Sequence, residues 1–132
     1  MIKARVAKEA IVRINNRMGV LAQVSKGLAD KGLNIEAVIA TVEGNDALIH
    51  IVSSDHQRMM DALREQQLQV QEARIVVAQI EHRPGLLRQV AEKLARQNID
   101  LLYLYATATE SAQCLIVFSS TNNDWAVKVL ND

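Results

Sequence analysis

The residues with the most chemical potential occur twice, in two short segments of one design: Asn15-Asn16-Arg17-Met18-Gly19-Val20 and Glu81-His82-Arg83-Pro84-Gly85-Leu86. In each, a polar residue and an arginine precede a glycine that opens an apolar stretch with helical spacing. Glycine lets a ligand come close to the backbone. The first amides of a helix starting at Val20-Leu21 or Leu86-Leu87 point at an anion, with the positive end of the helix dipole behind them. The chemistry this suits is the binding of a carboxylate. Asn34 and Asp100 hold equivalent places at the start of a following strand, as acceptors for an ammonium group. A carboxylate loop and an amine acceptor together suit a free amino acid. The spacing also has a plainer reading, because Arg-x-Gly can serve only to make a turn and start a helix.

Other side chains offer less. His50, Asp55 and His56 contain metal-binding groups, but they straddle the end of a predicted strand without a ligand signature, so hydrogen-bonded or solvated histidines are expected and no metal or cofactor. Cys114 sits in an apolar strand and reads as a small buried residue, its solitude excluding an intrachain disulfide and fitting a reducing cytoplasm. Tyr103 and Tyr105 share a strand face, but the basic-aromatic pattern of an RNA-reading sheet is missing. Fifteen Lys plus Arg balance fifteen Asp plus Glu, so nothing favours nucleic acid or an anionic membrane. No apolar run approaches the roughly 18 residues of a membrane span. No nucleophile, base and oxyanion set can be assembled from the recurrent sites, so a non-enzymatic protein is expected.

The elements that must position the two loops follow from an internal repeat. Sliding the 132-residue chain over itself by 66 residues, without a gap, gives 13 identities in 66 positions and a repeated polarity pattern. Such a period decides domain organisation before any whole-chain fold is considered. Two units result, residues 1–70 and 71–132. Each reads strand, helix, strand, strand, helix, strand. Strand one is Ala7 to Ile14, answered by Ile75 to Ile80. Helix one carries the stripe Leu21, Val24, Leu28, answered by Leu87, Val90, Leu94. Gly32 and Asn98 end these helices in residues that tolerate the left-handed conformation. Strands two and three are Ile35 to Val42 and Ala47 to Val52, or Leu101 to Ala108 and Gln113 to Phe118, with Glu43-Gly44-Asn45-Asp46 as a hairpin. Asp55 begins one second helix, and Thr121 to Asp124 reads as a capping box for the other.

Two irregularities carry further expectations. Leu48, Ile49, Ile51 and Val52 of the first copy's third strand and Leu101 to Leu104 point apolar side chains to both faces, so the second sheet face should be covered, by the other copy or by another chain, rather than wet. The first copy has a fourth strand around Leu68 to Gln71, whereas the second ends at Asp132. Ile2, Ala4 and Val6 stand 66 residues before Leu68, Val70 and Glu72. The first six residues are therefore expected to supply the missing edge of the second repeat.

With this order in place the sequence resembles the ACT family of small ligand-binding regulatory domains. The family pattern has an acidic residue or Asn, a variable residue, Pro and Gly before an apolar helix, then Gly-x-Asn-Ile entering strand two. Copy one reads Asn16-Arg17-Met18-Gly19-Val20-Leu21, with Met18 in place of proline, and Gly32-Leu33-Asn34-Ile35. Copy two reads His82-Arg83-Pro84-Gly85-Leu86-Leu87, with His82 at the acidic or Asn position, and Asn98-Ile99-Asp100-Leu101. The resemblance implies an α+β sandwich of two ferredoxin-like βαββαβ repeats with antiparallel sheets. It implies a cytoplasmic regulatory homo-oligomer, a dimer, that binds a free amino acid or similar small carboxylate near a domain interface and acts on a metabolic enzyme. Carried residue by residue, it implicates Asn16, Gly19 and Asn34 in copy one and His82, Gly85 and Asp100 in copy two. Arg17, Val20, Arg83 and Leu86 come from the loops themselves. The competing expectation is an assembly module that uses the same surfaces without a small molecule.

Overall fold

A computed structural model describes residues 2–108 and 112–132. Ten elements follow the chain: β1 (Lys3–Asn15), α1 (Val20–Asp30), β2 (Ile35–Glu43), β3 (Asp46–Ser53), α2 (His56–Glu65), β4 (Gln69–Glu81), α3 (Leu86–Arg96), β5 (Leu101–Ala108), β6 (Gln113–Ser120) and α4 (Asn123–Asn131). They form two compact units, one of residues 8–73 and one of residues 1–7 with 74–132. Met1 lies outside the described residues. Each unit is a ferredoxin-like α+β arrangement of the βαββαβ kind.

In the unit of residues 8–73 the strands lie in the order β2-β3-β1-β4. β3 is antiparallel to both neighbours, with Ile11 opposite His50 and Val38 opposite Ile51. Val20, Val24 and Leu28 fall on one face of α1 because residues four apart stack along a helix. They bury against Ala10, Val12, Ile49 and Ile51 of the sheet and Met59, Met60 and Leu63 of α2, while Leu68 and Val70 pack at the margin. The methionines are thus packing residues, as the helical spacing suggests.

The other unit repeats this plan with Val76, Ala78 and Ile80, Leu86, Val90 and Leu94, Ile116 and Phe118, and Ala126 and Leu130. Its strands are ordered β1-β4-β6-β5. Ile2 is buried in its core and Ala4 packs against it, in the roles Leu68 and Val70 play in the first unit. The Ala4 N–H donates to Asn131 Oδ1 at 2.7 Å, and Asn131 Nδ2 donates to the Ala4 carbonyl at 2.9 Å. The end of α4 thereby grips the N-terminal strand segment by a side-chain amide at the place where copy one has a covalent turn. The missing edge strand is supplied as the repeat implied.

Several features differ from expectation. The short strands predicted at Leu68 to Gln71 and Ile75 to Ile80 are one continuous 13-residue strand, since Glu72-Ala73-Arg74 contains no turn-forming residue. β1 is likewise a single 13-residue strand. The copies are not gap-free: Ile14 and Ile80 are 66 residues apart, but their partners Ala47 and Cys114 are 67 apart. The second β-hairpin connection is one residue longer, and most of it lies outside the described residues. α4 is capped by Asn122, whose side chain accepts from the Trp125 N–H at 3.0 Å. Thr121 is not the cap because its hydroxyl accepts from the Asp100 N–H at 3.0 Å. Asp55 does cap α2, accepting from the Arg58 N–H at 3.2 Å. Val52, Ile75, Val77 and Val117 are buried outside both helix-facing cores, so the second face is covered there. Leu102, in contrast, is 60% exposed.

Candidate functional site

The two repeated loops build the same turn. Gly19 (φ +85°) and Gly85 (φ +89°) occupy the left-handed region immediately before α1 and α3. A Cβ at either position would meet nothing within 4 Å, so it is the backbone conformation that calls for glycine. The Val20 N–H folds back to the Arg17 carbonyl at 3.3 Å, and the Leu86 N–H to the Arg83 carbonyl at 3.4 Å. The first intrahelical bonds are Gln23 to Gly19 and Gln89 to Gly85, both 2.9 Å. The Leu87 and Arg88 amides precede any acceptor four residues back. Neither α1 nor α3 has a side-chain cap, whereas α2 and α4 do. The donors suited to an anion therefore lie one residue later than the sequence suggests, at Leu87 and Arg88 or at Leu21 and Ala22. Val20 and Leu86 contribute buried side chains to the core.

Around these turns Asn16, Arg17, Gly19, His82, Arg83 and Gly85 are exposed. Arg17 Nη2 donates to Gln23 Oε1, and Arg83 Nε lies 3.7 Å from Glu81 Oε2. Each loop is tied to the hairpin of its own unit: the Asn16 N–H donates to the Asn45 carbonyl at 2.8 Å and the His82 N–H to the Ala112 carbonyl at 2.7 Å. Asn34 and Asp100 are exposed as well, but the structure does not bring either to the loop of its own unit. Asn15 pairs with Asp46, which pairs with Glu43, while Ile35 pairs with Ser53 at the far end of β3. Likewise Glu81 pairs with Gln113, and Leu101 with Ser120. The helix between strands one and two returns the chain along the sheet, so the start of strand two lies at the end opposite the loop.

What does lie beside the second loop is a cavity of about 270 Å³. Its rim is Glu81, His82, Arg83 and Gly85 with Leu86 and Leu87 of α3; its floor is Ile80, Ala106, Ala108, Cys114 and Ile116, with Thr107 at the edge. Ala106 pairs directly with Ile116, and Ala108 and Ile80 with Cys114, so these five share the helix-facing side of the sheet. Cys114 is half-buried, not the closed core thiol its apolar strand suggests. The contribution of β5 and β6 was invisible in the loop motif, although Ala40-Thr41 and Ala106-Thr107 are one of the identities between copies.

The histidines of the first unit serve separate contacts. His50 Nδ1 lies 2.8 Å from Glu9 Oε1, and the Glu9 side chain is fully buried. His56 Nε2 lies 2.7 Å from Glu72 Oε2; its Nδ1 is buried and has no hydrogen-bond partner among the described residues. The His56 hydrogen bond, followed by that from Lys8, holds the Glu72 carboxyl below the ordinary value of 4.5. Among the described residues no three His, Cys, Asp or Glu side chains converge as a metal site, and no helix is long and apolar enough to cross a membrane.

A family model described as an ACT domain pair matches residues 6–132. No curated protein matches the sequence significantly. Among solved structures, a Bacteroides thetaiotaomicron protein is similar at a TM-score of 0.89 and 24% identity, over 98% of this chain and 89% of that one. The regulatory subunit of aspartate kinase from Thermus thermophilus, in ligand-free form, is similar at a TM-score of 0.70 and 14% identity, over 98% and 94% of the two chains. The corresponding subunit from Thermus flavus gives 0.64 and 16%, over 99% and 94%. At these identities the likeness is one of fold.

Proposed function

The chain belongs to the ACT-domain family as a domain pair, and on that premise we propose that it is a non-catalytic regulatory module that binds a free amino acid at the loop between β4 and α3. The observation that carries this reading is the coincidence of that loop, its uncapped helix start and the 270 Å³ cavity beside it. The Leu87 and Arg88 amides, with Arg83 nearby, supply donors for a carboxylate. His82, on the same rim, supplies a further polar wall. Asn16, Arg17 and Gly19 form the corresponding loop of copy one, where Met18 replaces proline without altering the turn. Asn34 and Asp100, remote from the loops of their own units, are suited to close such a site from another copy of the chain, in a homodimer.

Binding regulates only if it favours one arrangement over another. The named relatives are regulatory subunits of an enzyme, which supports action in trans on a metabolic enzyme in the cytoplasm. Thermal unfolding in the presence of each of the twenty amino acids tests the proposal: a ligand at a hundred times its Kd stabilises by about 2.7 kcal/mol. One chemical class should raise the midpoint and the rest should not.

A second reading, assembly with a protein partner, is favoured by one feature of copy one. Met18 is 99% exposed and Leu21 47% exposed on the same loop and helix start. An absence of any midpoint shift across the twenty amino acids would favour this reading.

A further inference from the structure

The two copies differ on the sheet face that turns away from the helices, and the difference marks a place of its own. Cross-strand pairing sets Ile11 opposite His50 and Arg13 opposite Leu48 in the unit of residues 8–73, and Val77 opposite Val117 and Gln79 opposite Leu115 in the other unit. Neither Ile11 nor Leu48 belongs to the helix-facing core, whose Ala10, Val12, Ala47 and Ile49 alternate with them. Two residues before Ile11, on the same face, stands Glu9; two before Val77 stands Ile75. Glu9 is fully buried, with its Oε1 2.8 Å from His50 Nδ1, whereas the second copy buries Ile75 and Val117 at these positions. Replacing a buried ionisable pair by well-packed aliphatic groups is often neutral or stabilising, and the second copy holds the same fold with the aliphatic pair. The Glu9–His50 pair is therefore not a requirement of the fold.

Beside that pair is a cavity of about 240 Å³, lined by Ile11 and Arg13 of β1, Leu48 and His50 of β3, and Gln69 and Gln71 of β4. We propose that this cavity binds a small monocarboxylate with an apolar body, at a site distinct from the β4–α3 loop. Ile11 and Leu48 supply the apolar part; Arg13 and the two glutamine amides supply the polar part, and none of the six carries a carboxylate. A guanidinium only donates, and each amide offers two N–H donors and one acceptor oxygen. The polar part thus suits an oxygen-rich group and gives an ammonium no charged partner. Arg13 Nη1 donates to Asp46 Oδ2 at 2.9 Å, and a guanidinium with five N–H groups is not exhausted by that contact. The neighbouring carboxylates limit the charge the cavity accepts: a ligand's first negative charge meets Arg13, whereas a second would face Asp46 on Arg13 and Glu9 on His50. At about 30 Å³ for each water-sized group, the cavity holds about eight non-hydrogen atoms, the size of hexanoate. His50 forms one wall, its ring fixed through Nδ1 by the buried Glu9.

The chain has three histidines, and two of them report on different places: His50 lines this cavity and His82 the one beside the β4–α3 loop. The experiment follows the imidazole proton signals of the full chain by NMR at fixed pH while sodium hexanoate is added. The His50 signal is assigned by its loss in His50→Val, a change to the residue the second copy carries. Hexanoate should shift the His50 signal saturably. Hexanamide has the same size without the charge and should require about 10-fold more ligand, the loss of a charge-assisted contact; adipate, with a second carboxylate, should also bind about 10-fold more weakly. Arg13→Gln, again the second copy's residue, should weaken hexanoate about 10-fold and leave hexanamide unchanged, with circular dichroism confirming the fold. Equal affinities for hexanoate and hexanamide, or an Arg13→Gln chain that binds hexanoate as the wild type does, would overturn the carboxylate. A saturable shift of His82 without one of His50 places the ligand at the loop of the other unit and overturns the site, as does a titration that moves no histidine signal.

Discussion

Truncating Asn131 tests whether residues 2–7 are an integral strand of the unit that contains 74–132. The Asn131 side chain both accepts from and donates to the Ala4 backbone, at 2.7 and 2.9 Å. Two neutral hydrogen bonds contribute about 1–3 kcal/mol together, and their exposed setting places Asn131→Ala in the lower half, about 1–2 kcal/mol. Ile2 is only 9% exposed and lies in the core with Phe118 and Leu130. Ile2→Ala should therefore cost about 2–4 kcal/mol, the range for losing a buried aliphatic side chain. Asn131→Asp keeps the acceptor but turns a carboxylate oxygen towards the Ala4 carbonyl, so it should fall at least as far as alanine. Urea unfolding followed by fluorescence of Trp125, the single tryptophan and a residue of α4, reads the relevant unit directly. With a slope of about 2 kcal/mol per molar urea, Asn131→Ala should lower the midpoint by about 0.5–1 M and Ile2→Ala by more. Unchanged midpoints for both would refute the strand closure.

Three further outcomes follow from local structure. Gly27→Ala should change stability by less than about 0.5 kcal/mol, because the gain of about 1 kcal/mol from alanine in a helix interior is offset when the added Cβ, 2.7 Å from Gln66 Cδ, displaces the Gln66 side chain from the Val24 carbonyl; thermal unfolding checks it. Gly85→Ala should destabilise by about 1–2 kcal/mol, the cost of placing a Cβ in the left-handed region, even though no atom stands in its way; urea midpoints give the difference. Glu72 has its pKa lowered by His56 and then Lys8, so its contribution is complete above the ordinary value of 4.5 and is lost as pH falls through the lower native value. Wild type should accordingly lose stability more steeply than Glu72→Gln below pH 4.5 when midpoints are measured against pH.

The parts of the fold that were legible in the sequence are those fixed by local chemistry repeated twice. Val24 and Val90, Leu28 and Leu94 marked buried helix faces, and Gly32 and Asn98 marked left-handed helix ends, with φ +71° and +57°. The need for an N-terminal edge strand was legible because Ile2 and Ala4 stand where Leu68 and Val70 stand in the other copy. Strand continuity was not, since β-propensity shows where a strand can form and little in Gln71 to Arg74 says whether it pauses. The extra hairpin residue was hidden because a change of one residue within a β-connection alters the pairing of β6 without altering the alternation of its side chains.

The candidate site was legible only on its loop side. Gly85 and Arg83 announced a turn before a helix, but which strand end faces that turn depends on the helical return between strands, and this places Asp100 far away and Ala106 and Ala108 close by. Alanines carry no chemical signature of their own. Their meaning is the space they leave.

That space gives the most direct test of the account. The amino acid that most raises the unfolding midpoint is titrated calorimetrically into the wild-type chain and into Ala106→Phe, with circular dichroism confirming the fold of the variant. The account predicts saturable heat in wild type and none in Ala106→Phe at the same concentrations, because the ring would occupy the cavity beside Gly85. Equal heats and equal affinities in the two proteins would contradict it.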